Sequence, residues 1–170
     1  MAASEDRLGA YTNNTTALPL RHDLPIANPD TDTFYANTLI QYDASADTAT
    51  PLSHTAGDDD SGLIVFANFD HQSAETREAF TGNVLRGRAG QNPLVTVWSG
   101  QILELNTNDA ISNYDIGTVA YAVDNETVDA AQADGSSGSR AAVGVVYNVR
   151  SDEGTVDVYV PGFMKAISNV

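Results

Sequence analysis

Trp98-Ser-Gly-Gln-Ile-Leu-Glu-Leu105, Ile116-Gly-Thr-Val-Ala-Tyr-Ala-Val-Asp124 and Ala142-Val-Gly-Val-Val-Tyr-Asn-Val149 decide how this chain folds. Each is a short run of branched and aromatic residues punctuated by glycine, serine, asparagine or aspartate, the composition of a strand bounded by turns. Short strands bury one face only by packing on other strands, so these runs specify a compact β-rich body. Ala141 to Val149 is expected to pair with Thr155 to Val160 across Arg150-Ser-Asp-Glu-Gly154, and Pro161-Gly162 to stop the last strand. Pro93-Leu-Val-Thr-Val-Trp98 and Gln101 to Leu105 flank Ser99-Gly100, a pair suited to a tight hairpin. The alternation there puts Val95 and Val97 on one face and Leu94, Thr96 and Trp98 on the other.

Upstream, Phe34-Tyr-Ala-Asn-Thr-Leu-Ile-Gln-Tyr42 reads as a strand closed by Asp43-Ala-Ser-Ala-Asp47, with a short hairpin partner over Ala49 to Leu52. Leu63-Ile-Val-Phe-Ala-Asn-Phe69 is apolar on both faces, which predicts a central strand. Ser112 to Gly117 reads as one capped helical turn that redirects the chain into Thr118 to Val123. Asp124-Asn-Glu-Thr-Val and Ala133-Asp-Gly-Ser-Ser-Gly-Ser139 read as a long exposed loop. Residues 70–92, with Arg77, Arg86 and Arg88 and glycines at 82, 87 and 90, are expected to be a surface excursion. Pro19, Pro25 and Pro29 forbid a helix interior and disfavour a central strand, so residues 1–33 are expected to form an extended arm. Leu18, Leu20, Leu24 and Ile26 alternate loosely along it, as suits a segment laid on another surface. The expected organisation is thus an arm over 1–33, one domain over 34–160 and a tail over 161–170.

The 170 residues suffice for one core, not two. The absence of cysteine excludes disulfides, thiolate metal sites and thiol nucleophiles. No stretch approaches the roughly 20 apolar residues of a membrane span, and Met1-Ala-Ala-Ser-Glu-Asp6 lacks the start of a signal peptide, so a soluble chain made without a removable leader is expected. With 23 acidic against 8 basic residues and a net charge of −15, the surface repels phosphate backbones and anionic lipid, and neither nucleic acid nor membrane is an expected partner. Because the Debye length shrinks from about 10 Å at 0.1 M salt to roughly 3 Å at 1 M, such self-repulsion is harmless in brine. Abundant acids with Lys165 as the sole lysine point to a saline habitat.

Motifs that carry chemistry are scarce. His22, His54 and His71 lack the close spacing by which a rigid element holds a metal, and solvated or capping roles are expected for them. Asp58-Asp-Asp-Ser-Gly62 does not follow the alternate-position pattern of a calcium loop and reads as a charged turn. Gly135-Ser-Ser-Gly-Ser139 lacks the spacing of a nucleophile elbow. Trp98 and the tyrosines fall at strand spacing, as core or interface residues do. The expectation is a protein that is not an enzyme, with no metal and no cofactor.

The order of these pieces carries a resemblance. Tyr35-Ala-Asn-Thr-Leu-Ile40, a Thr55-Ala-Gly57 turn, Gly62-Leu-Ile-Val-Phe-Ala67, the arginine-bearing excursion and Val95-Thr-Val-Trp-Ser-Gly100 come first. They are followed by the string from Asp109 through Val128 and then Arg140-Ala-Ala-Val-Gly-Val-Val146. This series resembles the head decoration or capsid cement proteins of tailed viruses, phage or haloarchaeal, over residues 34–160. The long excursion and the residues after Pro161 depart from that pattern. The fold expected is mainly β, a compact β-barrel or β-sandwich-like (β-tulip-type) domain with an extended N-terminal arm and little helix.

The resemblance implies a structural virion protein on the capsid surface, made in the host cytoplasm. It would bind the outside of an assembled shell, often as a homotrimer at local threefold axes, and cement neighbouring capsomers, with the major capsid protein as its partner. Leu18, Leu20, Leu24, Ile26, Phe34 and Tyr35 of the arm and its junction are the expected capsid contacts, and Arg77, Arg86, Arg88 and Trp98 the next interface candidates, arginine being favoured at interfaces and scarce here. Competing readings are a secreted halophilic carbohydrate- or calcium-binding β-sandwich, a tail or fibre component of the same virion, and a small β-barrel enzyme.

Overall fold

A computed structural model describes residues 20–73 and 93–162, and these form ten strands and a single turn of 3-10 helix. Strands β1 (Leu20–Pro25), β2 (Thr38–Asp43), β3 (Thr48–Pro51), β4 (Ile64–Asn68) and β5 (Leu94–Ser99) make a five-stranded sheet in the order β1-β5-β4-β2-β3. Strands β6 (Gln101–Thr107), β7 (Val119–Ala122), β8 (Thr127–Asp129), β9 (Ala142–Arg150) and β10 (Thr155–Val160) close into a barrel in the order β10-β6-β8-β7-β9. The mainly-β, barrel-containing fold expected from the sequence is the fold observed.

The sheet curls on itself. Just past β1, Ile26 bridges Ala49 of β3, and the amide of Ala27 donates to the Ala49 carbonyl at 3.0 Å, so the two outer strands meet. Inside the curl lie Ile26, Phe34, Ile40, Ala49, Phe66, Val95 and Val97. The opposite face, carrying Leu39, Val65 and Ala67, joins the barrel core of Leu103, Leu105, Ala120, Ala122, Val128, Val143, Val146, Val156, Val158 and Val160. β4 is therefore central, as its two apolar faces predict: Phe66 points into the curl, Val65 and Ala67 into the shared core. Valine and alanine dominate the barrel interior because a barrel of so few strands leaves little room between its walls.

Several local expectations are corrected. β5 and β6 are not a hairpin. β5 pairs with β1 and β4, whereas β6 pairs with β10 and β8. At the junction Gly100 takes φ +73°, and its amide donates to the Val160 carbonyl at 2.9 Å, so the chain leaves one sheet and enters the other. Two residues at a Ser-Gly corner serve either purpose, and only the pairing partners distinguish them. Second, the stretch from Asp124 is not an exposed loop. It forms β8, parallel to β6 and antiparallel to β7, and closes the barrel with Asn125, Glu126, Val128 and Asp129 buried. Its polar composition hid a strand whose charged residues are satisfied internally.

Third, the turn at Ile111–Asn113 is a 3-10 turn begun at Ala110 without a side-chain cap, so Ser112 does not cap it. Tyr114 follows as a buried plug, its hydroxyl donating to the Val128 carbonyl at 2.8 Å. Burial raises the Tyr114 phenol above its ordinary range, with the Asp129 and Asp109 charges adding to the effect.

The expected hairpins β2–β3 and β9–β10 are present, in the registers Ile40↔Pro51 to Asp43↔Thr48 and Thr155↔Arg150 to Tyr159↔Val145. A bulge interrupts the second between Asp157 and Val158, leaving Tyr147 as the extra residue on β9. The strand expected from Phe34 begins only at Thr38. Asn37 has φ +58°, and Phe34 instead exchanges hydrogen bonds with Gln72 at 2.8 Å in both directions.

Candidate functional site

The expected arm does not stay apart from the body. From residue 20 it is β1, an edge strand of the curled sheet, registered on β5 from Leu20↔Ser99 to Pro25↔Leu94. Proline is tolerated there because an edge position needs no second ladder. Side chains fasten the pair: Arg21 Nη2 donates to Thr96 Oγ1 at 3.3 Å, Thr96 Oγ1 donates to Asp23 Oδ1 at 2.7 Å, and His22 Nε2 lies 3.4 Å from Ser99 Oγ.

The residues expected to contact a capsid separate accordingly. Leu18 lies outside the described residues, and Leu20 is placed through its backbone pairing alone. Leu24 is half-buried against the inner cluster, and Ile26 and Phe34 are fully buried within it. Contact through Ile26 or Phe34 would require opening the core, so these two are corrected to core residues. Tyr35 is half-buried, edge-on to His71 at 5.4 Å, and its carbonyl accepts from Thr38 Oγ1 and Asn68 Nδ2 at 2.7 and 2.6 Å. Arg77, Arg86 and Arg88 lie outside the described residues. Trp98 is half-buried beside Phe69, ring centroids 6.4 Å apart, and its Nε1 is buried with no acceptor among the described residues.

Two polar clusters not expected from the sequence tie loops together, the first joining the curled sheet to the barrel. In the first, His54 sits between two carboxylates, Nδ1 2.7 Å from Asp60 Oδ2 and Nε2 3.3 Å from Asp134 Oδ2. Its side chain is 6% exposed, so it is neither solvated nor a cap. Asp134, 1% exposed, accepts from the amides of Gly57 at 2.6 Å, Ser136 at 2.7 Å and Gly138 at 3.3 Å. Those backbone donors, Gly57 first, hold its carboxyl down at about 2 despite desolvation. The ring bridges the two acids and so joins the 54–60 loop to the 133–139 loop. The glycine-serine stretch is thereby pinned, and a Cβ on buried Gly138 would collide with the Asp58 carbonyl oxygen.

In the second cluster, Arg140 Nη2 lies 3.2 Å from Asp129 Oδ2, and its Nη1 donates to the carbonyls of Ala131 at 2.9 Å and Ala133 at 2.7 Å. Asn108 Nδ2 donates to Asp129 at 3.0 Å, and the amide of Ala130 to Asp109 at 3.3 Å. The hydrogen bond between the Asp109 and Asp129 carboxyls, with burial second, raises Asp109 above the usual carboxylate range. Burial opposes ionisation of Asp129, but hydrogen bonds from Asp109, the Ala131 amide and Asn108, with the Arg140 charge, keep it below that range. The one signal in the sequence was Arg140 itself, a rare cation placed directly after a polar loop.

Chemically, both clusters are spent on holding loops: Asp134, Asp129 and Asp109 accept from backbone amides, and His54 and Arg140 lie against the acids, with the buried Arg140 Nε left without a partner among the described residues. Among the described residues no group of three or more His, Cys, Asp or Glu side chains is arranged to hold a metal ion. Of the eight basic residues, only Arg21, Arg140 and Arg150 belong to the described residues, whereas all of the 23 acidic residues except Glu5, Asp6, Glu75 and Glu78 do. The described body is thus strongly acidic, and the remaining cations Arg7, Arg77, Arg86, Arg88 and Lys165 fall in the flanking and inserted segments. Comparison with known proteins gives no match: no family model, no curated protein and no solved structure is similar to this chain.

Proposed function

We propose that this protein is a structural component of a tailed-virus head, binding the outside of the assembled capsid and holding neighbouring capsomers together. One observation carries the reading. The two strings on which the resemblance to head decoration proteins rests, Asp109 to Val128 and Arg140 to Val146, form one unit of the fold. The first supplies β7 and most of β8, the second begins β9, and Arg140 clamps Asp129 where β8 closes the barrel. A string that builds the closure of a barrel bears on the fold more directly than the same residues scattered over loops would, which supports the reading.

Other features support it. The polar clusters secure loops, as suits a protein whose work is to stay folded on a shell under load. The segment before Leu20 leads directly into an edge strand, so added strand pairing is a natural mode of attachment for it. Homotrimeric assembly at local threefold axes and residence in the virion belong to the same proposal, with the major capsid protein as partner. The test is reconstitution: shells assembled without the protein are mixed with it and sedimented. Co-sedimentation that saturates at a fixed ratio to the capsid subunit supports the proposal, and absence of binding at any salt concentration refutes it.

A further inference from the structure

The outer wall of the barrel carries a row of apolar side chains that the fold does not use. Ile102 of β6 is registered on Tyr159 of β10, Tyr159 on Val145 of β9, and Val145 on Val119 of β7, so one apolar line crosses four strands. Inward positions alternate with it: Leu103, Val158, Val146 and Ala120 all lie in the core. The bulge on β9 adds Tyr147 beside this line, 58% exposed. Ile116, 70% exposed, is brought alongside because the Gly117 amide donates to the Val146 carbonyl at 2.8 Å, with Gly117 at φ +93°. Tyr159 is 42% exposed, and these three are the large apolar side chains left in solvent among the described residues. That they gather on one wall, at a bulge and a glycine of positive φ, distinguishes them from scattered surface apolars.

The surroundings say what covers this wall. Along one side runs a charged row, with Thr155 Oγ1 donating to Glu104 at 3.1 Å and Asn148 and Arg150 donating to Asp157 at 3.1 and 3.0 Å. Asp115 is next to Ile116, and Asp152 and Glu153 occupy the β9–β10 turn. Among the described residues the one cation here is Arg150, held by Asp157 and by Glu153 at 3.6 Å, so the described rim is acidic. A second copy of this chain, at net charge −15, brings mostly like charge to that rim. Its described arginines are all engaged, Arg21 with Asp23 at 3.6 Å and Arg140 with Asp129, and its surface is as acidic as the one it would meet.

We infer that the wall formed by Ile116, Tyr147, Tyr159, Val145 and Ile102 is a second docking surface, and that its occupant is a different protein presenting an apolar patch ringed by lysine or arginine. The inference rests on the reading above and deepens it: the capsid shell supplies that patch, and the body, as well as the segment before β1, touches it. Tyrosine and isoleucine at the centre supply contact area, and complementary charge at the rim speeds encounter and sets orientation.

The test uses the full chain and shells lacking it. An Ile116→Ser/Tyr147→Ser variant changes only outward side chains, so its thermal melt is expected to match wild type. Its affinity for shells is expected to fall on the order of tenfold or more, and its oligomeric state by analytical ultracentrifugation to stay that of the wild type. Tyr147→Phe, which keeps the apolar ring, is expected to bind as wild type does. If wild type and the double variant bind shells equally, the docking surface is refuted while the capsid reading stands. If the double substitution instead changes the oligomeric state, the occupant is a second copy and the inference is overturned. If wild type itself does not bind, both fall together.

Discussion

Arg140 reaches back across the 133–139 loop to lie 3.2 Å from the Asp129 carboxylate, and through this contact the segment leading into β9 grips β8, the strand that closes the barrel. Both side chains are buried, and Arg140 also caps two carbonyls of the intervening chain. Removing one partner leaves the other as an uncompensated buried charge. Arg140→Ala is therefore expected to lower unfolding stability by about 3–5 kcal/mol. The paired change Arg140→Met with Asp129→Asn is expected to cost clearly less than Arg140→Ala, because no lone charge remains. Urea unfolding of the variants checks the ordering, and equal losses would contradict it.

Asp134 links stability to pH. Its carboxyl is held at about 2 in the folded chain, against about 3.9 for an unperturbed aspartate. A depressed folded value means that the unfolded chain takes up the proton first. The contribution is complete above about pH 4 and is lost as pH falls toward 2. Asp134→Asn is expected to be less stable than wild type at pH 6, with the difference shrinking through this window. Thermal melts across pH 2–6 measure it, and a difference independent of pH would contradict the role given to the carboxylate.

Gly144 lies where β9 presses on β10, and a Cβ built there would overlap the Tyr159 carbonyl oxygen and crowd Pro161. Since the obstacle is backbone, relief requires moving a strand. Gly144→Ala is expected to destabilise by about 1–3 kcal/mol or more, whereas Gly62→Ala, in open space, is expected to lie within about 0.5 kcal/mol of wild type. Comparison of their melting temperatures decides the point.

Truncation at the N-terminus has a sharp boundary. Removal of residues 1–19 spares every described strand and is expected to leave the fold intact while weakening attachment to shells. Removal of residues 1–33 also takes away β1 and Ile26, exposing Val95 and Val97 and stripping β5 of a partner. That longer deletion is expected to unfold or aggregate. Circular dichroism and size-exclusion chromatography of the two truncations test this, and a well-folded longer deletion would refute the role given to β1.

The strand content was legible in the sequence because alternation and turn residues act locally, and β2, β4, β9 and β10 fall close to where Leu39-Ile40, Ile64-Val-Phe66 and the two valine-rich runs place them. Pairing was less legible. Ser99-Gly100 fits a hairpin corner as well as a crossing between sheets, and only the Val160 carbonyl waiting on the far side decides it. β8 is hidden in the sequence because Asp124-Asn-Glu-Thr reads as solvent-loving until Arg140 and Asn108 are placed around Asp129. The burial of His54 is hidden for the same reason: its partners Asp60 and Asp134 are 6 and 80 residues away, and no spacing rule connects the latter. Among the expected contact residues, apolar character correctly marked Ile26 and Phe34 for burial, but in this chain's own core. Burial against self and burial against a partner look alike in a sequence.

Electron microscopy of purified particles assembled with and without this protein tests the central claim most directly. The account predicts additional density on the outer surface of the shell when the protein is present, into which the barrel and curled sheet fit with the wall bearing Ile116 and Tyr147 facing a capsid subunit. Identical shell surfaces in the two preparations would contradict it.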